Sequence, residues 1–125
     1  MRASTTFELA LPWSKPPLNL NDRRHHHAQA AIVRDVRRAG WVLARSSLVG
    51  EHQRVRVCLH YQPRDTRTRD SENPVPTLKA LCDGLVDARV VPDDDRTRMV
   101  KDMPVIHDPV KGQPGRLWLV IEVLA

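Results

Sequence analysis

The chain has 125 residues, of which 41% are hydrophobic and 28% charged, a usage that suits one globular domain and excludes a wholly disordered or fibrous chain. Its apolar runs fall far short of the roughly 20 residues of a membrane span, and its opening segment is too interrupted for a secretory signal, so a soluble, cytoplasmic protein is expected. The net charge is +5, with arginine supplying 16 of the 20 basic residues, which points to a polyanionic partner.

The first strand is read at residues 6–11, where Phe7, Leu9 and Leu11 alternate with polar positions until Pro12 ends the run. Pro12 to Asn21 is a proline- and asparagine-rich stretch and is read as an ordered loop. From about Arg24 the period lengthens. Ile32, Val36, Ala39 and Leu43 trace one apolar helical stripe, and Arg34, Arg37, Arg38 and Arg45 occupy other angles.

Residues 54–61 alternate Val55, Val57, Leu59 and Tyr61 against Arg54, Arg56, Cys58 and His60, the pattern of a strand, which Pro63 closes. A polar, basic connector, residues 64–69, follows. Leu78, Leu81 and Leu85 then predict a second amphipathic helix ending near Asp87 or Ala88, with Asn73 as N-cap and Pro74 at the first helical position. Residues 96–104 are weakly β-patterned. Leu117, Leu119, Ile121 and Val123 alternate clearly, and Lys111 to Gly115 reads as a hairpin connection into that last strand. The expected architecture is α+β: a small mixed sheet with two helices packed on one face.

Charge is unevenly placed. Residues 1–69 carry 13 basic and 5 acidic side chains, whereas residues 70–95 carry 2 basic and 7 acidic ones. A basic surface around a compact acidic cluster suits a metal-dependent nuclease, in which arginines neutralise phosphates and carboxylates hold a divalent cation. Asp70 and Glu72, two apart in a segment read as extended, would project to the same side. Asp94, from the run Asp93 to Asp95, would supply a third carboxylate beyond the helix, and magnesium takes such hard oxygen ligands. Lys79 and Asp83 stand at i, i+4 and can pair. The competing reading of the same residues is a capping asparagine, a helical ion pair and an acidic turn.

Zinc is not expected. His25, His26 and His27 point about 100° apart on a helix, and His52, His60 and His107 have no ligand spacing with one another or with Cys58 and Cys82. Those cysteines lack a CxxC pattern and read as reduced, small apolar residues. Trp13, Trp41 and Trp118 read as core or dimer packing before base stacking.

Four segments in order resemble the RusA-type Holliday junction resolvases, the crossover junction endodeoxyribonucleases of phages and prophages. They are Arg69-Asp70-Ser71-Glu72-Asn73, Leu78 to Leu85 with Lys79 and Asp83, Val90-Val91-Pro92-Asp93-Asp94, and Gly115-Arg116-Leu117. Leu11-Pro12-Trp13 and Pro16-Pro17 with Asn19 and Asn21 resemble the family's opening strand and loop. Glu72 stands where that family has Asp, five residues separate Asn73 from Lys79 where two are usual, and Arg89 replaces a Gly ahead of the acidic turn. The resemblance implies one RusA-like endonuclease domain over residues 1–125, in a bacterial host cytoplasm. It implies magnesium, or manganese, at Asp70, Glu72 and Asp94 with Asp83 in support, and Lys79 and Arg69 near the scissile phosphate. Arg67, Arg34, Arg37 and Arg38 are the further candidates for phosphate contact. The implied partners are branched DNA, in the form of four-way junctions, and a second copy of the chain. A flap or fork nuclease and a non-catalytic branched-DNA-binding module are the alternatives.

Overall fold

The periodicities of the sequence become five strands and two helices in a computed structural model, in which residues 5–93 and 95–124 are described. In chain order these are β1 (Thr6–Ala10), α1 (His26–Ser46), β2 (Val55–Gln62), α2 (Val75–Asp87), β3 (Met99–Lys101), β4 (Val105–Ile106) and β5 (Arg116–Val123). The architecture is the expected α+β arrangement, one mixed sheet with two helices.

The strand order is β1-β5-β2-β3, with β4 also paired to β2. β5 is antiparallel to both β1 and β2, whereas β3 and β4 run parallel to β2. Parallel pairing of β2 with β3 needs a crossover connection, and α2 provides it. The hairpin expected ahead of the last strand does not form, because β4 and β5 lie on opposite sides of β2. The segment read as weakly β is instead an interrupted edge: β3 pairs with Val55 to Val57, β4 with His60 and Tyr61, and Pro104, which has no N–H to donate, lies between them.

Strand alternation sorts the sheet into two faces. Leu9, Val55, Val57, Leu59, Tyr61, Leu117, Leu119, Ile121 and Met99 are buried on the inner face. Arg56, Cys58, His60, Trp118 and Val120 stand on the outer one, where none is fully buried. α2 is buried almost all round through Thr77, Leu78, Ala80, Leu81, Cys82, Gly84 and Leu85. It is enclosed by the sheet and by α1; Val75, Pro76 and Val86 are half-buried, and an edge through Lys79, Asp83 and Asp87 reaches solvent. Each fully buried leucine contributes about 1.5–3 kcal/mol of transfer free energy, so α2 anchors the core.

The buried stripe of α1 differs from the one read in the sequence: Val36, Gly40 and Ala44 form its centre, and Ile32, Ala39 and Leu43 flank it half-buried. Gly40 moves to the centre because the helices approach closely there. A Cβ on Gly40 would lie 2.6 Å from the Leu81 carbonyl oxygen, and one on Gly84 would lie 2.0 Å from that of Arg37.

The entry to α2 also differs from expectation. Pro74 is the N-cap, Val75 the first helical residue and Pro76 the second. Asn73 instead uses its side-chain oxygen to accept from the Asn21 N–H at 3.3 Å, while its carbonyl accepts from Leu20 at 2.9 Å. Buried Thr77 completes this clamp: its Oγ1 accepts from the Leu18 N–H at 3.0 Å and donates to the Leu18 carbonyl at 2.7 Å. The proline-rich loop is thereby fixed across the start of α2.

Candidate functional site

The clamp brings four segments together at the C-terminal end of β2: the loop after β1, Tyr61 of β2, the connector 64–69 and the turn into α2. Between them lies a cavity of about 160 Å³, whose lining includes Lys15, Asn19, Tyr61, Arg69, Asp70 and Asn73. Asp70 is exposed at its mouth.

Asp70 and Glu72 do not lie in an extended segment. Residues 71–74 form a turn in which the Asp70 Oδ1 accepts from the Glu72 N–H at 3.1 Å and the Asp70 carbonyl from Asn73 at 3.0 Å. Asp70 thus nucleates the turn that starts α2, a local preference of short acidic side chains. The two carboxylates remain one turn apart, without the same-side projection of a strand. Glu72 is exposed.

The expected Lys79–Asp83 pair is present on α2, with Nζ 3.1 Å from Oδ1 and 3.3 Å from Oδ2. Asp94 lies outside the described residues. Asp95 stands at the other end of the sheet, its Oδ1 accepting from the N–H of Arg98, whose carbonyl accepts from Val55 at 2.8 Å. Six strand residues, roughly 20 Å at about 3.3 Å each, separate Val55 from Tyr61 of the cavity. Asp95 caps its own turn, accepting from Thr97 Oγ1, from the Thr97 N–H at 2.8 Å and from the Arg98 N–H at 3.1 Å. Among the described residues no group of three or more His, Cys, Asp or Glu side chains is placed to hold a metal.

The arginines divide by what they touch. Arg69 donates to the carbonyls of Asp65 and Arg67, both at 3.0 Å, and pairs with the Asp65 carboxylate at 2.7 Å. It braces the connector over the Tyr61 ring, 5.8 Å from its centroid. Partial burial is the largest single influence on Arg69 and opposes its charge, but the Asp65 hydrogen bond, the Asp65 charge and Tyr61 together outweigh it, so the guanidinium pKa is raised. The same bond, followed by the Arg67 N–H, holds the Asp65 carboxyl below its usual range. Arg67 is 82% exposed and 3.7 Å from Asp65. On α1, Arg34, Arg37 and Arg38 border a groove with Trp41 and Asp87. Arg37 is committed there in a two-point bond to Asp87 at 2.6 and 2.8 Å, and Arg34 and Arg38 are exposed.

A second cavity, about 350 Å³, adjoins the first and is lined by Ser14, Lys15, Tyr61, Arg64, Asp65, Arg67, Arg69, Pro114 and Gly115. Lys15, Tyr61 and Arg69 belong to both. The sequence reading missed Lys15 and Tyr61, since only the clamp between Leu18 and Thr77 delivers the loop to β2.

His60 and His107, which have no ligand spacing in the sequence, are neighbours in the fold: His60 Nδ1 and His107 Nε2 are 2.8 Å apart. Their centroids are 5.1 Å apart and their planes 24° apart, the geometry of two imidazoles joined edge to edge. Trp118 lies over both at 5.2 and 5.0 Å, and the Arg116 guanidinium lies 4.3 Å from the Trp118 ring. β4 creates this cluster by running parallel to β2, a long-range pairing with no local signal.

No protein-family model matches this chain, and no curated protein matches it significantly. No helix among the described residues is long and apolar enough to cross a membrane.

Proposed function

We propose that the chain is a magnesium-dependent, structure-selective DNA endonuclease that resolves four-way junctions by paired phosphodiester hydrolysis, as a homodimer in a bacterial cytoplasm. One observation carries the reading: Asp70 lines a cavity that shares Lys15, Tyr61 and Arg69 with a cation-lined groove. A hard-cation ligand beside phosphate-binding groups is the minimum equipment of this chemistry.

The donor set fits magnesium. Asp70 lines the cavity and Glu72 is exposed on the same turn, outside that lining, and magnesium commonly takes one or two carboxylates together with water and substrate phosphate. Asp70 and Glu72 would hold the ion, with Asp83 in support. Asp94 enters on the resemblance to the RusA-type resolvases alone. When bound, the ion supplies charge neutralisation at the phosphate and a water of lowered pKa; manganese offers the same. Lys79 has an ammonium for the developing phosphate charge, drawn from its pair with Asp83, and Arg67, Arg34 and Arg38 are available to backbone phosphates.

Incubation of the purified protein with synthetic junction, fork, flap and linear duplex DNA, with and without Mg²⁺, tests the proposal. The expected outcome is metal-dependent cutting of the junction in preference to the others. Preferred cutting of the flap or fork would move the assignment to those substrates. The missing three-carboxylate group among the described residues favours one other reading, a junction-binding module. That reading requires binding that ignores chelator and no nicking under any condition.

A further inference from the structure

The second cavity is more than an annex of the first. Four cations line it, Lys15, Arg64, Arg67 and Arg69, against one carboxylate, Asp65. Arg69 uses that carboxylate at 2.7 Å, and Arg67 stands only within 3.7 Å of it. Neither Lys15 nor Arg64 forms a hydrogen bond or ion pair with a described residue, and both are exposed.

The groove is also firmly walled. A Cβ on Gly115 would lie 2.1 Å from the Ser14 carbonyl oxygen, so the start of β5 is pressed against the loop that carries Lys15. The opposite wall, the connector, is tied by Arg69 to its own carbonyls at 3.0 Å. Two charges without a partner among the described residues therefore line a preformed depression that also includes Tyr61. Such charges gain most from an anion that is itself a string of charges, because each phosphate neutralised releases condensed counterions.

We propose that this groove is a phosphodiester-binding track, that Lys15 and Arg64 are its phosphate contacts, and that it feeds one strand of nucleic acid toward Asp70. Lys15 has the key position, since it lines both cavities and has no partner among the described residues. Lys79, by contrast, is engaged by Asp83 at 3.1 Å. The assignment rests on the nuclease reading for its substrate, but its test does not need cleavage.

Binding of a fluorescently labelled four-way junction is measured in EDTA across a salt series for the wild type, for Lys15→Gln/Arg64→Gln and for a control, Arg45→Gln/Arg96→Gln. The control removes the same charge from surfaces remote from the groove. The groove variant should bind about tenfold or more weakly, with the slope of log K against log [salt] shallower by about 2, as expected for two lost phosphate contacts. Its melting curve should be unchanged, and Lys15→Arg should keep wild-type binding. Equal losses in the groove and control variants, or no loss in the groove variant, would overturn the track and leave the nuclease reading standing. A groove-specific loss in a protein that never cuts would uphold the track and remove the nuclease. A wild type that binds no nucleic acid would overturn both.

Discussion

Arg89 follows α2 with φ of 61°, in the left-handed region that L residues avoid. Its N–H donates to Val86 at 2.9 Å and the Val90 N–H donates to Leu85 at 3.0 Å, which is the Schellman closure that glycine ordinarily completes. The arginine therefore carries backbone strain of about 1 kcal/mol. Arg89→Gly should raise stability by about that amount in urea unfolding, and a loss of stability would show that the arginine side chain makes a compensating contact. At the other end of the sheet, burial first and His107 second push the His60 pKa down, against a smaller upward pull from Glu8. The folded state thus prefers neutral His60, whereas the unfolded chain takes up a proton near the ordinary histidine value of about 6.5. Stability is complete above that pH and falls as pH drops through it, until the folded histidine also protonates. Tm should decrease from pH 7.5 to 5, with a smaller decrease in His60→Gln. Identical pH profiles would remove His60 as a source of the effect.

At the scale of elements, α1 and α2 are held by two glycines. Gly84→Ala places a methyl 2.0 Å from the Arg37 carbonyl oxygen and 2.8 Å from the Trp41 nitrogen, both backbone atoms that cannot rotate away. The helices must separate, at a cost of about 1–3 kcal/mol, read as a lower midpoint in urea unfolding; an unchanged midpoint would contradict the close crossing. Much of this level was legible in the sequence. Alternation marked β2 and β5, and the Leu78, Leu81 and Leu85 spacing placed α2 with its end at Asp87. Those signals are local and arise from one-sided burial. β3 and β4 were not resolved, because strands of three and two residues carry too few alternations. The insertion of β5 between β1 and β2 was also illegible, since neighbours in a sheet are chosen by long-range packing. Asp70 and Arg69, neighbours in the sequence, both line the cavity. Lys15 was not legible beside them, because its arrival depends on Leu18 meeting Thr77, 59 residues away.

For the whole molecule, a four-way junction presents two strands related by approximate two-fold symmetry, and each chain offers one Asp70 cavity. A C2 homodimer would present two. Its candidate surfaces are the outer sheet face with Trp118 and Val120, together with Leu124, and the α1 surface with Trp41 and Val42, where Val42 is 40% exposed. Light scattering at micromolar concentration should give about twice the 14.3 kDa chain mass. A monomer both free and on DNA would exclude paired resolution and promote the fork or flap nuclease. The most direct test of the account is cleavage of a labelled four-way junction by wild type and by Asp70→Asn under saturating protein with Mg²⁺. The account predicts paired nicks in opposing strands by the wild type, and a rate lower by about 100-fold or more in the variant, with folding and junction binding retained, because a metal ligand is lost while the cationic groove remains. Equal cleavage rates in the two proteins would contradict it.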